Sequence, residues 1–177
     1  MLKFLFGNKQ DQAGLAPETE ILHTGGIAPG TNIRFDPKLV SELKVDHGQL
    51  VSQFQEIVAT TGKRDNDLLV KQFAKFGSTL RGHILKENVR FYVYLKSSLQ
   101  SDESSLSIMQ EFAQEMQQIG RAVTDFLHKY TSVAKWDEAQ WAVFERDLNA
   151  VGQVLTSRIE TEENTLYPLY LPPGNYG

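Results

Sequence analysis

From Leu39 onward apolar residues recur every three or four positions, in runs broken by short polar links. The first run puts Leu39, Leu43, His47, Leu50, Phe54 and Ile57 on one helical face. After TTGKRDND, the second aligns Leu68, Phe73, Phe76, Leu80, His83, Glu87 and Tyr94. After SDESS, the third aligns Met109, Phe112, Met116, Ile119, Val123, Phe126 and Tyr130. After AKWDE, the fourth aligns Trp141, Phe144, Leu148, Val151, Leu155, Arg158, Glu162 and Leu166. This period predicts amphipathic helices, and strand alternation is nowhere sustained. Helices joined by short links are antiparallel neighbours, so the predicted fold is all-α, an up-down-up-down antiparallel four-helix bundle.

The ends read differently. Residues 1–36 show no helical period and carry the turn-forming GGIAPG, so an irregular N-terminal arm is expected there. Asp36 as cap and Pro37 as first helical residue open the bundle, taken as 37–171. Residues 172–177, within LYLPPGNYG, are expected to lie against it as a tail. SDESS reads as a loop and helix cap.

Composition narrows the chemistry. A net charge of -4 argues against a general nucleic-acid or anionic-membrane binder. No cysteine is present, which removes disulfides, zinc–thiolate sites, iron–sulfur clusters and thiol nucleophiles. Phe4, Leu5 and Phe6 form too short an apolar run for a secretory signal (roughly 7–15 residues) or a membrane span (about 20), so a cytoplasmic protein is expected. GGIAPG lacks the flanking features of a nucleotide-binding loop, and nothing local points to a Ser/His/Asp nucleophile set.

The informative residues are polar ones on apolar faces: His47, His83, Glu87, Arg158 and Glu162. Such groups need partners, since an unpaired buried charge costs several kcal/mol. A histidine and a glutamate four residues apart on a helix aim at one point, a geometry suited to a metal in a bundle centre. HILKENVRFYVYL, from His83, is echoed by RIETEENTLYPLY, from Arg158, with Glu87 over Glu162 and Tyr92 over Tyr167. In that echo His83 falls on Arg158.

With Asp46-His47, the HILKE of 83–87 and the TEENTLYP ending at Pro168, residues 40 to 171 resemble the hemerythrin-like (HHE cation-binding) family of di-iron four-helix bundles. The resemblance implies metal-ligand positions at His47, His83, Glu87 and Glu162. Two positions depart from it. Arg158 stands where the family has the fourth-helix histidine, and Met116, in AQEMQQI, stands where it has the third-helix histidine. DHGQL at 46–50 overlies EMQQI at 115–119, so both losses fall in one half of the pseudo-symmetric bundle. His128 points away from the apolar stripe.

Two readings stay open. In one, a single non-haem iron or manganese ion sits on His47, His83, Glu87 and Glu162, open to oxygen, nitric oxide or peroxide, with Arg158 in the second metal's place; a sensor or carrier is then expected rather than an enzyme. In the other no metal binds: Arg158 pairs with Glu87 and Glu162, the histidines satisfy one another, and the domain serves an unidentified protein partner. His23, in the arm, is expected to be solvated, and Glu163 to lie on the surface. Tyr92, Tyr94, Tyr130 and Tyr167 are expected in the core.

Overall fold

The computed structural model describes residues 26–132 and 136–176. Among these it is all-helical, with a lone bridge pairing Ile27 and Arg34. Helix α1 spans Leu39–Thr61. Helix α2 spans Asn66–Lys86 and runs through a π turn, Glu87–Phe91, into α3, Tyr92–Ser98, so the second predicted helix is one rod with a wide turn inside it. Helix α4 spans Glu103–Thr131. Helix α5 spans Glu138–Thr161 and continues through a second π turn, Glu162–Leu166, into a 3-10 turn, Tyr167–Leu169. None of these helices is long and apolar enough to cross a membrane.

Local chemistry sets the helix starts. The Asp36 carboxylate accepts from the Lys38 N–H just ahead of α1. Asp65 and Asp102 accept the N–H three residues on, from Leu68 and Ser105, and Asp137 with Gln140 closes a reciprocal capping box. The rods pack in a ring: α1 on α2, α2 on α4, α4 on α5 and α5 on α1.

Two apolar cores fill the interior, and a polar layer lies between them. One core gathers Leu50, Ile57, Leu69, Phe73, Phe76 and Leu80 with Met116, Val123, Trp141, Phe144 and Leu148. Its α2 stripe begins at Leu69, one residue beyond the expected Leu68, because Leu69 keeps register with Phe73 and Phe76. The other core gathers Leu39, Leu43, Phe91, Tyr92, Tyr94, Leu95, Met109, Leu166, Tyr167 and Tyr170. On α1, His47 falls between Leu43 of one core and Leu50 of the other; on the second rod, His83 and Glu87 fall between Leu80 and Phe91. Apolar walls above and below hold these polar groups away from bulk water, which strengthens every electrostatic term among them.

The described part of the N-terminal arm caps the second core. Ala28 is buried, and the Phe35 ring stacks on Tyr170 with centroids 5.0 Å apart. The Asp36 N–H donates to the Tyr170 hydroxyl at 3.0 Å. The tail meets the arm there: a Cβ added to Gly26 would stand 2.8 Å from Pro173, so glycine is what allows the approach. Residues 1–25, including His23 and the Phe4–Phe6 run, lie outside the described residues.

Candidate metal centre

His47 reaches the polar layer from α1, His83 from α2, and Arg158 from the last turn of α5. Glu87 and Glu162 each open a π turn, in which the N–H of Tyr92 bonds to Glu87 O and that of Tyr167 to Glu162 O, five residues back. Such wide turns insert one residue into a helix and occur often at functional sites. Here the insertion turns neighbouring pairs inward together: Phe91 with Tyr92, and Leu166 with Tyr167.

His47, His83 and Glu162, all buried, offer ligand atoms lying within 4.8 Å of one another. His47 Nε2 stands 3.2 Å from Glu162 Oε2 and 3.2 Å from the Tyr167 hydroxyl. Its Nδ1 stands 2.8 Å from Glu163 Oε1, and Lys44 holds the other Glu163 oxygen at 3.3 Å. His83 Nδ1 faces Asp46 Oδ2 at 3.6 Å, slightly beyond hydrogen-bond range, while Lys86 grips the same oxygen at 2.7 Å. Each ring thus turns one nitrogen to an outer carboxylate, the usual arrangement that fixes a ligating histidine and leaves Nε2 for the centre. Glu87 stands beside the trio, its Oε2 3.9 Å from His83 Nε2 and its Oε1 accepting from the Tyr167 hydroxyl at 3.1 Å.

The charges follow from this packing. Burial, then the neighbouring His47, lowers the His83 pKa to about 4, so its ring is neutral at pH 7. Burial also opposes charge on His47, but hydrogen bonds to Glu162 and Glu163 outweigh it and raise that ring above its ordinary value. Burial and then the Glu162 charge push the Glu87 carboxyl well above the usual carboxylate range.

Arg158 uses four of its five N–H donors. Its Nε donates to Glu162 Oε1 at 2.6 Å, Nη1 to Glu115 at 3.1 Å, and Nη2 to the Phe112 carbonyl at 2.8 Å and the Tyr92 hydroxyl at 3.3 Å. Its guanidinium also lies 4.6 Å from the centre of the Phe112 ring. Arg158 therefore hydrogen-bonds Glu162 but not Glu87, unlike the pairing expected for a metal-free centre. The two histidine rings stack at a tilt, 4.7 Å apart, and each faces its own carboxylate instead of bonding to the other.

The donor set suits one cation. Imidazole nitrogens and carboxylate oxygens are ligands for iron, manganese or zinc. Donors bonded at about 2.1 Å to one ion lie at most about 4.2 Å apart, so this trio needs shifts of about half an ångström to close on it. Glu87 Oε2 is buried without a hydrogen-bond partner among the described residues, an acceptor that an ion would satisfy. The other half does not suit a second ion, because Met116 brings a thioether and Arg158 a fixed positive charge.

Several residues fall elsewhere than expected or go further. Glu163, expected on the surface, is half-buried against His47. Asp46 and Glu115 also take part, though only the DH and EM pairs hinted at them. His128 is exposed and away from the centre. Tyr92, Tyr94, Tyr130 and Tyr167 are buried; Tyr92 and Tyr167 touch the centre, whereas Tyr94 donates to the Leu171 carbonyl and Tyr130 to Asp147.

A helical bundle with imidazoles and carboxylates converging between two apolar cores belongs to the class of centre-binding bundles. Residues 38–170 match the hemerythrin HHE cation binding domain, and the chain belongs to that family. No curated protein and no solved structure matches it.

Proposed function

We propose that this domain holds one transition-metal ion, iron or manganese, on His47, His83 and Glu162 with Glu87 at their side. It uses that ion to bind oxygen, nitric oxide or peroxide as a sensor or carrier. The observation that carries this reading is the convergence of three buried donors beside a carboxylate oxygen without a hydrogen-bond partner among the described residues. A bound ion of this kind supplies an open coordination position for a small ligand. The protein's own residues do the rest. Glu163 and Asp46 orient the two rings, Tyr167 offers a hydroxyl at Glu87 and His47, and Arg158 supplies fixed positive charge where a second ion would otherwise balance the carboxylates. A single redox centre favours binding over multi-electron turnover. The reading includes an up-down-up-down antiparallel bundle over 37–171 and a cytoplasmic setting.

One observation favours a second reading, a metal-free interaction domain. Both Glu162 oxygens already have partners, Arg158 at 2.6 Å and His47 at 3.2 Å, so this carboxylate is satisfied by protein alone. Elemental analysis of protein purified from cells grown with and without added iron separates the two. One iron or manganese per chain supports the first reading; none from metal-replete cells overturns it in favour of the second.

A further inference from the structure

A cavity of about 140 Å³ begins at the inner edge of the polar layer and runs outward between α1 and α5. Its inner end is lined by His47, His83, Met116, Arg158 and Glu162. Its longer part is walled by Leu50, Phe54, Phe76, Leu80 and Leu155, and it reaches the exposed Val51, Gln55 and Thr156 at the surface. Gly152 lets the wall close: a Cβ there would stand 2.8 Å from the Phe54 ring.

Size and lining together select a ligand. A closed void of about 150 Å³ lined by leucine, isoleucine and phenylalanine admits benzene or xenon, and the outer part of this cavity, though open at its mouth, has walls of the same kind. A charged guest is disfavoured at the inner end. Glu162 would repel an anion, and four of the five N–H donors of Arg158 are already bonded to Glu162, Glu115, Tyr92 and the Phe112 carbonyl. We infer that this cavity is a binding site for a neutral apolar molecule of about benzene's size, seated with one edge against His47 and His83. The inference does not need a metal, but His47, His83 and Glu162 form the inner end of the cavity, so an ion bound there would adjoin the guest.

The test uses the full chain, stripped by chelator and then metal-loaded, with xenon, benzene and benzoate as probes. Benzene at about ten times its dissociation constant is expected to raise the melting temperature by about 4 °C. Intermolecular NOEs from benzene to Leu50, Phe54 and Leu155 are expected in the wild-type protein, and benzoate is expected to give no shift. Leu155→Phe, which puts a ring into the void, is expected to fold and lose the benzene response. Absence of any benzene shift, a response to xenon alone, an equal response to benzoate, or NOEs to other side chains would each overturn the assignment. A benzene response in protein that takes up no metal leaves this inference intact while removing the metal reading, so the two fail separately.

Discussion

His83 and Arg158 hold equivalent posts, each four residues before a buried glutamate that opens a π turn, yet they do opposite work. His83 is neutral, its outer carboxylate sits at 3.6 Å, and beside it Glu87 keeps one oxygen without a hydrogen-bond partner among the described residues. Arg158 carries permanent charge and spends its donors on four acceptors from three rods. The same backbone device thus presents an open donor set in one half and a closed ion cluster in the other. On the proposed reading an incoming cation would complete the first half, whereas Arg158 already supplies the positive charge of the second.

The largest expected effect breaks the closed half. In metal-free protein, Arg158→Ala removes the fixed charge beside buried Glu162, leaving it His47 alone, and is expected to cost about 3 kcal/mol. His83→Ala leaves no charge bare and is expected to cost about 2 kcal/mol. Urea denaturation of the two variants checks the difference, and equal losses would erase the contrast. A smaller effect sharpens the open half. Glu163→Gln keeps the shape but weakens the hold on His47 Nδ1, and is expected to lower metal affinity about 10–100-fold, measured by competition with a chelator.

The smallest effect lies outside both halves and serves as a reference. At the far end of the bundle, hydrogen bonds from Lys129 and then Tyr130 hold Asp147 down to a pKa of about 2. A lowered carboxylate stabilises the fold above its unfolded value, near 3.9, and loses that contribution as pH falls through about 2. After solvent screening, Asp147→Asn is expected to cost about 1 kcal/mol at pH 7. Thermal melts should show the gap to wild type closing as pH drops from about 4 toward 2, with metal affinity untouched.

Much of this contrast is legible in the chain. Apolar spacing marks the four rods, and polar residues breaking the stripes mark His47, His83, Glu87, Arg158 and Glu162, because a period of 3.6 fixes which side chains share a face. The π turns leave no such signature. Glu163 lies about a quarter-turn from Glu162 and reaches His47 on the neighbouring rod, a contact between rods that periodicity does not encode. Arg158's partners were hidden for the same reason: Glu115 and Phe112 come from α4, and contacts between rods depend on packing depth. The docking of Ala28 and Phe35 likewise rests on the far end of the chain, at Tyr170 and Pro173.

The contrast between an open and a closed half of the centre turns on Met116 and Arg158. The most direct test is a saturating metal titration of stripped wild-type protein beside the Met116→His/Arg158→His double variant, counted by elemental analysis. The account predicts one ion per chain in the wild type and two in the double variant. No ion in the wild type, or two already present there, would contradict it.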